Sequence, residues 1–263
     1  MKKMFLVFVG LFASVVYAHD LFLKANPFVL ERAGRLELAM NLAEAFPGKE
    51  VLWRKDKTVR SWIVGEGFSH EFTTEQGKNP VIDIPREGTY VLGWNASPSY
   101  IEVDAKGFNE YIKADGYQNV IQMRKESGKQ NEKGREKYTR FLKCIVQAGS
   151  KLTAYYEKPL GQKIEIIPLE HPYSVKPGSK LPVKVLFDGA SLAGVRVMAT
   201  YDTYSKEHDV YAHTLETGAD GTAAIPIDKP GLWMIRANRM LPLEGDPKAD
   251  WQSFWSNLTF EVR

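Results

Sequence analysis

Of the five histidines in this chain, His19 stands where processing would give it a chemistry the others lack. The chain opens Met1-Lys2-Lys3, runs apolar from Met4 to Val16 and then reads Val16-Tyr17-Ala18. A basic start, a short apolar core and a small residue before the cut form an export signal. The run is too short and wrongly flanked for a membrane-spanning helix. Cleavage after Ala18 would free the α-amine of His19. Amine and imidazole Nδ1 of one residue close a six-membered ring on a metal ion, which no internal histidine does. Both are borderline nitrogen donors suited to Cu(II), Ni(II), Co(II) or Zn(II). The plainer reading is that signal peptidase leaves many residue types first, and His19 is one of them.

Two nitrogens from His19 leave further positions to fill. His208 and His213 are the first choices, in the stretch Ser205-Lys206-Glu207-His208-Asp209-Val210-Tyr211-Ala212-His213. His208 falls at the tip of a polar loop and His213 inside the next strand. Five residues apart on a regular strand they would face opposite sides, so they share an ion only if the loop bends back. Glu207 and Asp209 are placed to orient an imidazole through its second nitrogen. The plain readings are a solvated loop residue for His208 and a hydrogen-bonded structural histidine for His213. His171, before Pro172, belongs to a domain junction, and His70 to a surface loop. Asp20 offers an oxygen ligand or a counter-charge for the new amine.

These residues need a frame, and most of the chain reads as short strands broken by turns. From Asp20 to Asp104, runs such as Leu36 to Met40 and Thr58 to Val64 alternate with Ala33-Gly34, Pro47-Gly48 and Gly65-Glu66-Gly67. From Ala105 to Ala148 the texture turns helical. Phe108, Tyr111 and Ile112 form one stripe, and Tyr138, Phe141, Leu142, Ile145 and Val146 a stronger one. Cys144 lies within it and reads as a small buried hydrophobe. Beyond Glu170-His171-Pro172-Tyr173 about six strands follow. Trp251, Phe254, Trp255 and Leu258 then recur at helical spacing, as core packing under a short helix. The expected fold is mainly β: two β-sandwich (immunoglobulin- or transthyretin-like) domains with a short helical insertion. The expected boundaries are 1–18 signal peptide, 19–168 N-terminal sandwich with the insertion at about 105–148, and 169–263 C-terminal sandwich.

Composition narrows the function. The formal net charge is +3 over 263 residues, two of the positive charges leaving with Lys2 and Lys3. That is no polyelectrolyte for nucleic acid or a membrane surface. One cysteine excludes an intramolecular disulfide framework, so an exported chain must stand on its hydrophobic core, as in a bacterial envelope. There is no glycine-rich phosphate loop, no Gly-x-Ser-x-Gly elbow and no Cys-x-x-Cys, and nothing nominates a catalytic triad.

Several blocks together resemble a bacterial family of unknown function labelled nickel-uptake transporter protein, or periplasmic component of a cobalt transport system. They run from Ala18-His19-Asp20-Leu21-Phe22-Leu23 through Ser97-Pro98-Ser99-Tyr100-Ile101-Glu102 and Gly134-Arg135-Glu136-Lys137-Tyr138-Thr139-Arg140. Leu186-Phe187-Asp188-Gly189, Gly231-Leu232-Trp233 and Asp250-Trp251-Gln252-Ser253-Phe254-Trp255 complete them. The resemblance implies a soluble periplasmic protein with a terminal histidine, two β-rich parts and transition-metal handling. It departs at one place. Many relatives carry a histidine shortly after the Gly-x-Trp strand, where this chain reads Arg236-Ala237-Asn238-Arg239-Met240. The expectation is a non-enzymatic periplasmic protein that binds nickel or cobalt through His19, with His208 or His213, for a membrane uptake transporter. Copper and zinc are the alternative ions. The other readings are a copper-binding protein or oxidative copper enzyme built on the terminal histidine, and a metal-free interaction or carbohydrate-binding module. No membrane span is expected after signal cleavage.

Overall fold

Apolar stretches bounded by turns become strands along most of the chain. The computed structural model describes residues 19–263, and the expected signal peptide at 1–18 lies outside the described residues. In order the strands are β1 (Asp20–Asn26), β2 (Val29–Leu30), β3 (Gly34–Ala43), β4 (Lys49–Val51), β5 (Thr58–Gly65), β6 (Phe68–Glu71), β7 (Val81–Ile84), β8 (Gly88–Ala96) and β9 (Ser99–Val103). Two helices follow, α1 (Ala105–Ala114) and α2 (Gln118–Glu126). Then come β10 (Gly134–Ala148), β11 (Ile164–Pro168), β12 (Lys180–Phe187), β13 (Ala190–Ser191), β14 (Arg196–Tyr201), β15 (His213–Glu216), β16 (Thr222–Pro226), β17 (Gly231–Pro242) and β18 (Trp251–Val262).

The strands form three sheets. The largest has the order β15-β14-β17-β18-β10-β8-β5-β6, with β2 and β9 also on β10. A four-stranded sheet has the order β1-β3-β4, with β7 on β3, and another the order β11-β12-β13, with β16 on β12. Successive side chains on a strand point to opposite faces. Tyr90, Leu92, Leu142, Cys144, Val146 and Met234 therefore leave one face of the large sheet and pack with Phe22, Leu36, Leu38 and Met40 of the first small sheet. Val91, Phe141, Ile145, Trp233 and Ile235 leave the other face and pack with Ile164, Leu181, Val183 and Val185. The large sheet is thus a central layer with a core on each side, and the fold is a mainly β sandwich with a short helical insertion.

That central position overturns two sequence expectations. Tyr138, Phe141, Leu142, Ile145 and Val146 lie not on a helix but on β10, whose last eight residues are all buried. Trp251, Phe254, Trp255 and Leu258 likewise lie on β18. A strand buried on both faces is apolar at nearly every position, so helical spacings occur in it without a helix. The helical insertion accordingly ends at Glu126, not near residue 148. β10 and β18 run parallel, from Glu136 opposite Trp251 to Cys144 opposite Thr259, so β14, β17 and β18, all beyond residue 169, continue the sheet that β8 and β5 begin.

Helix α1 follows its pattern. Asp104 caps it by accepting from the Gly107 amide at 2.9 Å, and Phe108, Tyr111 and Ile112 bury one face. That face meets Tyr117, Val120, Met240, Trp251 and Trp255. Beneath the sheet, Lys143 is fully buried and donates to Glu165 at 2.7 Å and to the Ile166 carbonyl at 3.0 Å. Glu165 also accepts from the amides of Leu160 and Gly161, so the buried pair is fully hydrogen-bonded. Among the described residues no helix is long and apolar enough to cross a membrane.

Candidate metal centre

The start of β1 fixes His19 in place. Asp20 pairs with Ala43 at the end of β3, so His19 and Glu44 leave the ladder side by side. The Nε2 of His19 lies 3.3 Å from Glu44 Oε1. The loop between β14 and β15 folds back onto the same place, as the Asp209 amide donates to the Glu44 carbonyl at 3.0 Å. This brings His208 Nε2 to 3.3 Å from Glu44 Oε2. One carboxylate therefore stands between two imidazoles from opposite ends of the chain. Its approach to the Nε2 edge of His19 leaves Nδ1, the edge nearest the residue's own backbone nitrogen, on the other side of the ring.

Below this pair lies a buried polar cluster. Tyr211 donates to Asp20 Oδ2 at 2.5 Å, and Arg236 donates to the Tyr211 hydroxyl at 2.6 Å. Arg236 also donates to Asp115 Oδ1 at 2.5 Å and lies 4.4 Å over the Trp255 ring. Burial opposes the guanidinium charge, but Asp115, Tyr211 and Asp20 around it hold its pKa well above the ordinary value. Among the described residues the Oδ1 of the buried Asp20 accepts no hydrogen bond; it is ion-paired with the Arg236 guanidinium at 3.4 Å. Burial raises the carboxyl pKa of Asp209, which Arg236 lowers in part, and burial likewise raises that of Asp115 against the pull of Arg236. Around Arg236 stand the carboxyls of Asp20, Asp115 and Asp209, and a second guanidinium, Arg140, donates to the His19 carbonyl at 3.2 Å. A cavity of about 340 Å³ lined by Asp115, Asp209, Tyr211 and Arg236 adjoins the cluster.

The structure thus brings together two of the three expected ligands and sets the third elsewhere. His213, the first residue of β15, puts Nε2 2.7 Å from Asp228 Oδ2, and its ring lies parallel to that of Trp233. His171 is buried, with Nδ1 accepting from the Tyr173 amide and Nε2 2.8 Å from Thr89 Oγ1. His70 sits exposed on β6, a strand rather than the expected loop. Trp251, Phe254 and Trp255 are buried and form no exposed platform. Sequence reading missed Glu44 altogether, because in Leu42-Ala43-Glu44-Ala45-Phe46 it looks like any other carboxylate. Among the described residues there is no group of three or more His, Cys, Asp or Glu side chains that could hold a metal ion. What the structure does bring together is two imidazoles on one carboxylate, residue types that suit borderline metal ions.

A family model described as a domain of unknown function, DUF4198, matches residues 16–240. No curated protein matches the chain. Among solved structures, the D0-D1 domains of intimin align over 92% of this chain and 97% of that one, at 10% identity and a TM-score of 0.21. Three N-terminal domains of the bacteriophage RB49 highly immunogenic outer capsid protein align over 93% of this chain and 59% of that one, at 8% identity and a TM-score of 0.21.

Proposed function

From the chain's membership in the DUF4198 family and the geometry at Glu44, we propose that it is a periplasmic transition-metal-binding protein. In this reading the export signal is cut after Ala18, and His19 chelates nickel or cobalt through its α-amine and Nδ1. Glu44 steadies the far edge of the His19 ring, as carboxylates next to ligating histidines commonly do. His208, carried on the loop that Asp209 fastens to Glu44, closes over the ion as a further ligand. The metal is cargo, supplied to a membrane uptake transporter. The observation that supports the reading is the convergence of two imidazoles, 189 positions apart in the sequence, on the two oxygens of one carboxylate.

The test is calorimetric titration of Ni(II) and Co(II) into protein that begins at His19. Its partner is the same protein with one residue added before His19. The processed form should bind one equivalent, and more weakly as pH falls, because amine and imidazole must be deprotonated to coordinate. The extended form should bind at least about tenfold more weakly, having lost one arm of the chelate. Equal affinity of the two forms would refute chelation by the terminus, and no binding by either would refute the metal reading. Tighter binding of Cu(II) is expected from the general order of nitrogen sites and leaves the chelate intact.

A further inference from the structure

On the side of β1 away from the Asp20 cluster, the structure holds a second pocket of different chemistry. It is a cavity of about 470 Å³ walled by Leu21, Leu42, Val51 and Trp94. Its volume falls in the range of small-molecule sites, roughly 300–1,000 Å³. Three side chains with positive charge line it, Arg54, Lys57 and Arg140, and no acidic side chain does. Arg54 is neutralised from outside the cavity by Asp56 at 2.7 Å. The other two are not. The Arg140 guanidinium lies 4.9 Å over the Tyr138 ring and donates to the His19 carbonyl at 3.2 Å. Neither Arg140 nor Lys57 has a carboxylate within ion-pair distance among the described residues. Both are half-buried. Arg140 is met by a carbonyl and an aromatic ring but by no anion, and Lys57 by no side chain, so neither charge is cancelled beside this apolar wall. At the mouth, Leu52 is 70% exposed and extends the apolar wall into solvent.

We propose that this cavity binds a small-molecule monocarboxylate with an apolar body, the carboxylate between Arg140 and Lys57 and the body against Leu21, Leu42 and Trp94. A carboxylate suits the planar donor edge of a guanidinium. A single carboxylate placed between Arg140 and Lys57 faces both of the positive charges that Asp56 leaves uncancelled. Ser97, Ser99 and Tyr138 add hydroxyls to a lining that is otherwise mostly apolar or cationic. The cavity adjoins the His19 segment, whose carbonyl Arg140 holds, but carboxylate binding in it does not depend on the metal reading.

The probe is decanoate, titrated calorimetrically below its micellar range, with 1-decanol as the neutral counterpart. Decanoate should bind one equivalent with a Kd on the order of 100 μM or tighter, the scale set by a ligand of this size. Lys57→Gln and Arg140→Gln should each weaken it by about tenfold or more, as expected for a charge-assisted hydrogen bond. Decanol should bind more weakly by a similar factor. Lys57→Gln, on a half-exposed side chain without structural partners, is the variant that tests the head group with the fold intact, and unchanged thermal unfolding verifies this. The proposal is overturned if decanoate does not saturate the protein by ~1 mM. It is equally overturned if decanol binds as well, or if neither substitution alters the affinity.

Discussion

Glu44 is the residue on which the proposed centre turns. It touches His19 and His208 at once, while His213 is engaged by Asp228 and Trp233. Glu44→Gln keeps the shape and removes the anion between the imidazoles. Ni(II) affinity of the protein beginning at His19 should fall about 10- to 100-fold, the usual effect of losing a carboxylate partner of a ligating histidine. His213→Asn should leave it unchanged. Titrations of both variants check this, and a loss confined to His213→Asn would move the site to β15. Arg236 lies below the proposed centre. Here it is a fixed buried cation held by Asp115 and Tyr211, and it balances part of the surrounding negative charge instead of offering a lone pair.

At the scale of elements, α1 reaches the site through one close approach. The ring of Phe108 lies so near the Gly134 backbone, at the start of β10, that a side chain there would enter it. Phe108 also carries the Arg124 guanidinium on its ring at 4.9 Å, so helix, helix and strand share this contact. Gly134→Ala should force α1 outward at a cost of about 1–3 kcal/mol, the usual range for an overpacked core position. The C-terminal end of α1 leads directly into Asp115, so the Asp115–Arg236 contact should loosen with it. Urea unfolding measures the first effect, and hydrogen exchange of the α1 amides the second. An unchanged unfolding midpoint would show that α1 is free to shift without cost.

For the whole molecule, two buried groups pull the pH dependence of stability in opposite directions. Glu136 accepts from the Tyr111 and Ser253 hydroxyls, and burial raises its pKa from 4.5 to about 7. Between those values the unfolded chain has already released the proton that the folded one keeps, so stability falls as pH rises. Burial lowers the pKa of His171 from 6.5 to about 4. There the unfolded chain holds a proton that the folded one has lost, so stability rises with pH over nearly the same window. At about 1.4 kcal/mol per pKa unit each contribution amounts to up to ~3 kcal/mol, and the two largely offset one another. Glu136→Gln should therefore leave a protein that gains stability from pH 4.5 to 6.5 relative to the parent, and His171→Gln one that loses it. Denaturant unfolding across that range reads both slopes, and parallel profiles for parent and variants would contradict the linkage.

The sequence by itself determined the β character, since its turns and short apolar runs are local features that leave little choice of element. It also determined α1, where Phe108, Tyr111 and Ile112 form a local stripe along one helix face. It singled out His19, His208 and His213 by residue type and position, without choosing between the last two. It did not distinguish β10 and β18 from helices, because burial on both faces erases the two-residue alternation that marks a strand. Only the tertiary structure decided that Glu44 joins His19 to His208 while His213 goes to Asp228. That choice follows from the register of β1 on β3 and from hydrogen bonds of the Asp209 amide to Glu44 and the Tyr211 hydroxyl to Asp20, which fasten the 202–212 loop. Both are contacts between distant segments, which no local pattern encodes.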